Sequence, residues 1–470
     1  MTHAYDVLIL GAGLAGLRAA WAALEEHPSG RVLVVAPSDI PSGSSFTNPN
    51  ARLGMQAPRS DDERERFAQR AGELAAPGFI LPELTELLAA EALARLEDLS
   101  VLGVTIQADG DGNRRLHPGC FAQDLRCAAQ ITDLPRTYRL LRGRIEALGG
   151  EFLAGHLALS ILCTQDNEAC GALLAPIRGG PLVPIGSKTV IAALGGPATL
   201  FTHHLCEPGA PGIAYGLLAE TGARLTNEGF VQFLWSRLGS KEFVRLARLA
   251  EKGAAIIDQN QTRVPLPRKL KDLAAERATH CPISWGRDDT TLDLFTLDHA
   301  DSEGIVTLEL PGEQPFRATP MAHCGNGGAI IDRHGATSVP GLFAAGECAT
   351  GMHGANRIGG AMVAATQVFG ARAGREAMRQ ARIRERPPGI LFTDLMKTPF
   401  QTLCTANQSD LEQRPLLTSN SISAMLRYKT QHTTIKIENI FSADAKSSPS
   451  VLRMSTLSAL TVARSLHKIT

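Results

Sequence analysis

The chain has 470 residues, with 47 Lys and Arg against 47 Asp and Glu, so no excess charge points to nucleic acid or another polyanion. That length predicts about two or three domains with sizeable cores. No apolar run reaches membrane-spanning length and no secretory leader pattern opens the chain, so no membrane span and a cytoplasmic location are expected.

In chain order, residues 5–10 read as an apolar strand that runs into Gly11-Ala-Gly13-Leu-Ala-Gly16, followed by a helix over 14–26 and a second strand over 31–35. This is a βαβ start built to hold a pyrophosphate. Gly11 permits the tight turn, Gly13 lets the backbone approach the phosphates, and Gly16 lets the helix pack on the strand. The helix N-terminus then faces the anion with free amides and the positive end of its dipole. An acid for the ribose is often found at the end of the second strand; here the residue is Ala36, which argues against NAD.

A Ser/Gly/Asn-rich loop follows over 41–56, then helical periodicity over 61–103 and a helix over 133–148. Residues 151–195 read as meander strands ending in Lys188-Thr-Val-Ile-Ala-Ala-Leu-Gly195-Gly196. Polar, irregular sequence from 230 to 318 breaks the α/β rhythm, which resumes at 319. Val339-Pro-Gly-Leu-Phe-Ala-Ala-Gly-Glu347 and His353-Gly-Ala-Asn-Arg357-Ile-Gly-Gly360 would return the chain to the same dinucleotide and present an arginine beside it. Together with the first glycine loop, these segments point to a flavoprotein. The expected organisation is a discontinuous cofactor-binding domain (1–229 and 319–385), a capping domain (230–318) and a C-terminal region (386–470), partly flexible from about 442. The nine cysteines are scattered with no CxxC pair, which predicts reduced thiols and no zinc or iron–sulfur site in this chain.

These residues resemble the flavoprotein subunits of succinate dehydrogenase and fumarate reductase, together with L-aspartate oxidase. The matching pieces are Gly11–Gly16, Ser42-Gly-Ser-Ser45, Val190–Gly196, Ala322-His-Cys-Gly-Asn-Gly-Gly328 and Gly341–Gly360. The resemblance implies an α/β fold: a Rossmann-like FAD-binding domain with an inserted α+β capping domain and a short, altered C-terminal region. It implies FAD contacts at Gly11, Gly13, Gly16, Ser44, Ser45, Gly195 and Glu347. Members with covalent flavin carry a histidine in the loop that here spans 42–56. This chain has none there, so non-covalent FAD is expected. Arg357 and His323 would each bind a substrate carboxylate, and Arg268 falls where the family's proton-transferring arginine lies.

Two departures bear on the substrate. Where the family has His-Pro-Thr after Gly229-Phe-Val-Gln-Phe233, this chain has Leu234-Trp235-Ser236, and the segment from Lys241 to Gly253 matches poorly. The expectation is hydride transfer between flavin and a small carboxylate, with a dicarboxylate such as aspartate or succinate/fumarate first. The alternative is a flavoprotein electron-transfer or assembly subunit, with an iron–sulfur or other electron-transfer subunit as its partner.

Overall fold

A computed structural model of the protein describes residues 5–206 and 212–384. The expected C-terminal region 386–470, its tail from 442 and Cys404 lie outside the described residues.

Strand β1 (Tyr5–Leu10) leads into helix α1 (Leu14–Glu26) and parallel strand β2 (Val32–Val35). Strands buried on both faces need nearly continuous apolar sequence, and YDVLIL and VLVV supply it. The second strand opens one residue later than expected because Arg31 is exposed, its backbone N–H donating to Asp6 Oδ2 at 2.9 Å. Helical periodicity over 61–103 resolves into two helices, α2 (Asp61–Ala75) and α3 (Pro82–Val101). They separate at Ala76-Pro77-Gly78, where Ala76 and Gly78 take positive φ and Pro77 supplies no N–H. Ser60 caps α2 by accepting from Glu63 N–H, and Asp133 caps α4 (Leu134–Ala147) by accepting from Arg136 N–H.

The meander follows as β3 (Glu151–Leu153), β4 (His156–Cys163), β5 (Ala169–Pro176) and β6 (Val183–Ala192). The sheet order is β3-β2-β1-β6-β5-β4. Strand β6 makes two kinds of pairing: its first residues run antiparallel to β5, and residues from Ser187 onward run parallel to β1.

A separate core forms on β7 (Val231–Arg237), β8 (Ala255–Ile257), β9 (Arg263–Val264), helices α5 (Lys271–Arg277) and α6 (Thr290–Leu297), β10 (Val306–Glu309) and β11 (Phe316–Gly325). Its antiparallel sheet has the order β7-β11-β10-β8-β9. Trp235 lies at the centre among Phe233, Leu249, Leu292 and Leu308. The Trp235 indole N–H donates to Asp293 at 2.8 Å, and Asp293 also pairs with buried Arg277 at 3.1 Å, so each buried polar atom is matched. The residue expected to end this unit, 318, falls inside β11, which continues to Gly325 and so carries one end of the cap's sheet into the first domain. Strand β12 (Leu342–Ala344) then adds to the first sheet beside β6, and helix α7 (Ala361–Ile383) packs along α1. Among the described residues no helix is long and apolar enough to cross a membrane, and no cluster of three His, Cys, Asp or Glu could hold a metal ion.

Candidate active site

One cavity of about 460 Å³ runs from the carboxyl ends of β1 and β2 to the junction with the cap. Ligands of parallel α/β sheets sit in this position, beyond the strand ends. Its near end is lined by Val35 and Ala36. The small Ala36 side chain, 4% exposed, leaves room where an acid would project.

The glycine loop is shaped by contacts that exclude a side chain. Gly11 has φ 113°, and a Cβ there would overlap the Ala193 carbonyl oxygen. A Cβ on Gly16 would overlap the Gly11 carbonyl oxygen, so α1 reaches this depth only with glycine. Gly13 sits at the N-cap of α1 with no side chain of its own to cap the helix, and no acid occupies the first turn. This leaves the positive helix end facing the cavity without a negative charge from its own first turn. Ser45 Oγ accepts from Leu14 N–H at 3.2 Å and fixes the 42–46 segment over the loop, while Ser44 Oγ donates to Cys206 Sγ at 3.1 Å. Gly195, at φ 77°, lines the opposite wall. Glu347 accepts from Gly325 N–H at 2.8 Å, and burial pushes its carboxyl up against the opposing pull of that N–H and of Arg357. A Cβ on Gly196 would overlap the Glu347 carboxylate, so that glycine makes room for the acid. Six of the seven residues expected to touch the cofactor thus line one space, while Gly16 lies behind the turn against Gly11, and the donor set fits a dinucleotide pyrophosphate.

At the far end, Arg357 is 7% exposed. Its Nε donates to Asn326 Oδ1 at 2.9 Å and its Nη2 to Gln232 Oε1 at 2.6 Å. Both acceptors are neutral amides, and among the described residues no carboxylate pairs with this guanidinium. His323 lies beside it on β11, half-buried, with its ring edge-on to Phe243 at 6.5 Å. Burial first, and then Arg357, lower the His323 imidazole to about 4. It is therefore neutral near pH 7, and the site's positive charge belongs to Arg357 alone.

Gln232 and Leu234 line the cavity from β7, with Leu205 and Phe243 beside Leu234. Of the two large residues in the altered segment, Leu234 alone faces the cavity, because strand alternation turns Trp235 into the cap's core. Arg268 is not brought to this space. It sits exposed on a single turn, Arg268–Leu270, where Leu270 is the buried member of the basic run. Arg268-Lys269-Leu270-Lys271 is thus a solvated face anchored by one leucine. The residues that sequence reading missed are Gln232 and Asn326, which orient Arg357. Both lie in segments singled out for their neighbours, and the period-2 alternation of β7 would have placed Gln232 on the same face as residue 234.

A crossover sheet with a glycine loop at its carboxyl edge, and a second core closing over the same cavity, define a dinucleotide-binding enzyme of two units. The model of a family described as an FAD binding domain matches residues 6–363. An L-aspartate oxidase of Caulobacter vibrioides is 30% identical over 435 residues, covering 86% of this chain and 82% of that protein. The 8-methylmenaquinol:fumarate reductase flavoprotein subunit of Wolinella succinogenes is 30% identical over 406 residues, covering 79% of this chain and 65% of its own length. In fold, the chain superposes on the Mycobacterium smegmatis Sdh1 complex in the apo form with a TM-score of 0.71 at 21% identity, over 99% of this chain and 86% of that one. The chain belongs to the FAD-dependent oxidoreductase family of the L-aspartate oxidases and fumarate reductase flavoproteins, and FAD is its cofactor.

Proposed function

We propose that this flavoenzyme exchanges a hydride with a small carboxylate whose acid group is held by Arg357. The observation that carries this reading is the buried guanidinium itself, fixed by two amides, facing the cofactor cavity and, among the described residues, in no direct ion pair with a carboxylate. A buried cation without a directly paired carboxylate is costly unless an anion completes the site. His323 contributes a neutral N–H donor to the same ligand. FAD, cradled by Gly11, Gly13, Ser44, Ser45, Gly195 and Glu347 with Gly16 supporting the turn from behind, would supply two-electron chemistry beside it. The chain's own residues orient the carboxylate and exclude water from the reacting carbon.

The four-carbon dicarboxylates, aspartate and succinate/fumarate, are the first candidates. Leu234, Leu205 and Phe243 give the far wall an apolar surface, so a second carboxylate is poorly met there and an acid with an apolar tail competes with it. Titrating the flavin spectrum with succinate, aspartate, malonate and straight-chain monocarboxylates tests this directly. We expect Leu234→His to tighten dicarboxylates by about 1–2 kcal/mol relative to monocarboxylates, by adding a donor where the wild-type wall is apolar. An equal change for both classes would remove Leu234 from the specificity wall.

The 42–56 loop lacks histidine, so FAD is held without a covalent bond in this reading. Acid precipitation is expected to leave the flavin in the supernatant, and flavin retained in a washed pellet would overturn this. The missing second clamp on β7 favours one other reading, a subunit that passes electrons to an iron–sulfur or other partner. That reading would be supported if the FAD-loaded chain showed no spectral response to any carboxylate.

A further inference from the structure

Two thiols from different units meet at the rim of the cofactor cavity. Cys120 lies in the 119–122 turn, and its carbonyl accepts from Gly359 N–H at 3.1 Å, two residues beyond Arg357. Cys281 follows α5 in the cap, and its carbonyl accepts from Arg277 at 3.0 Å. The backbone N–H of Cys281 donates to Cys120 Sγ at 3.4 Å, so the sulfur of one residue already rests against the other. The two loops are joined on either side of this contact. Gln123 Nε2 donates to the Thr279 carbonyl at 2.7 Å, and the Phe121 ring stacks on His280 at 4.0 Å. Both cysteines line the cavity; Cys281 is exposed and Cys120 half-buried.

We propose that Cys120 and Cys281 form a dithiol–disulfide pair, oxidised by small-molecule disulfides, that fastens the cap to the flavin domain at the cavity rim. This holds whichever carboxylate the site takes. Cys281 is the attacking sulfur, being the exposed one of the two, and a side-chain hydrogen bond from Cys120, then Arg277 and Arg245, lower its thiol to about 6. Cys120 is shifted the opposite way and keeps the proton. A low-pKa, reachable thiol beside a resolving partner is the arrangement that thiol–disulfide exchange needs. By contrast, burial raises Cys127, Cys170 and Cys348, which are therefore poor nucleophiles.

With oxidised glutathione the exchange balances in two steps. The Cys281 thiolate attacks one glutathione sulfur, the glutathione S–S bond breaks, and one glutathione thiolate leaves to take a proton from water. Cys120 then loses its proton to water, and its sulfur attacks Cys281 Sγ and expels the second glutathione, which is protonated in turn. Counted from the Cys281 thiolate and the Cys120 thiol, the protein loses one proton and two electrons, water supplies the second proton, and one glutathione disulfide becomes two glutathione thiols.

The test uses the FAD-loaded full chain incubated with oxidised glutathione, alkylated, and digested with trypsin without reduction. Each cysteine sits in its own tryptic peptide, residues 116–126 and 278–287. We expect these two peptides to be cross-linked in the wild type, and Cys120→Ser to stop at a glutathione adduct on Cys281. We also expect the oxidised wild type to exchange bound FAD for free FAD roughly tenfold more slowly, with dithiothreitol restoring the rate. Separate glutathione adducts on the two wild-type cysteines, or two unreacted thiols, would overturn the pairing. A cross-link that leaves FAD exchange unchanged would overturn the fastening role.

Discussion

Gly16→Ala is expected to strip the protein of most of its FAD. The added Cβ would overlap the Gly11 carbonyl oxygen and press on the Ala193 side chain at 3.3 Å. The obstacle is backbone, which cannot rotate aside as a flexible side chain could, so α1 must move away from β1 or the Gly11–Gly13 turn must open. Either change draws the helix N-terminus away from the place where a pyrophosphate would meet its amides. Overpacking of this kind costs about 1–3 kcal/mol. Taken wholly from cofactor binding, that is roughly a five- to hundredfold loss of affinity. Flavin-to-protein absorbance after gel filtration, together with a reconstitution titration, measures it. Gly143→Ala is the matched control. Gly143 lies in α4, a Cβ there meets nothing within 4 Å, and the change is expected to stabilise by about 0.5–1 kcal/mol with FAD content intact. If the two variants retained FAD equally, the close approach at Gly16 would have no part in cofactor binding.

The strand–glycine–helix start was legible because everything that dictates it is local: an apolar run, three spaced glycines and an alanine- and leucine-rich helix, with ends that fall where expected. The returning segment was legible for a similar reason, since Glu347 and Arg357 sit among glycines that leave room for them. What the sequence hid depends on tertiary contact. Residues 61–103 carry one continuous helical period, and only the backbone at Ala76-Pro77-Gly78 divides them. Arg268 fits the expected spacing but stays in solvent, because the leucine of its own run decides which face is buried. Leu234 and Trp235 look like one apolar replacement in the sequence, yet β7 sends them to opposite sides, one to the cavity and one to the cap's core. Cys120 and Cys281 belong to loops in different units, and no periodicity links them. Their meeting follows from how the cap rests on the 119–123 turn.

Arg357→Ala should weaken carboxylate binding by about 2–4 kcal/mol, a loss of roughly thirty- to a thousandfold, while FAD content hardly changes. The size follows from what is removed. The substitution deletes the site's one buried cation and also leaves Gln232 Oε1 and Asn326 Oδ1 without the donors they now accept from. His323 cannot replace the lost charge, since burial holds its imidazole at about 4 and it is neutral at the pH of assay. Arg357→Lys separates charge from geometry. It keeps a positive group but cannot donate to both amides and a carboxylate in the planar fork of a guanidinium, so it should recover only part of the loss. Flavin spectra followed during carboxylate titration give the affinities, and the flavin-to-protein ratio gives the cofactor content. The expected separation is that anion affinity collapses while FAD stays, because the Gly11–Gly13 turn that would meet the pyrophosphate lies at the other end of the cavity. If FAD were lost together with the anion, Arg357 would belong to the cofactor's support, and the carboxylate would have to be held elsewhere in the cavity.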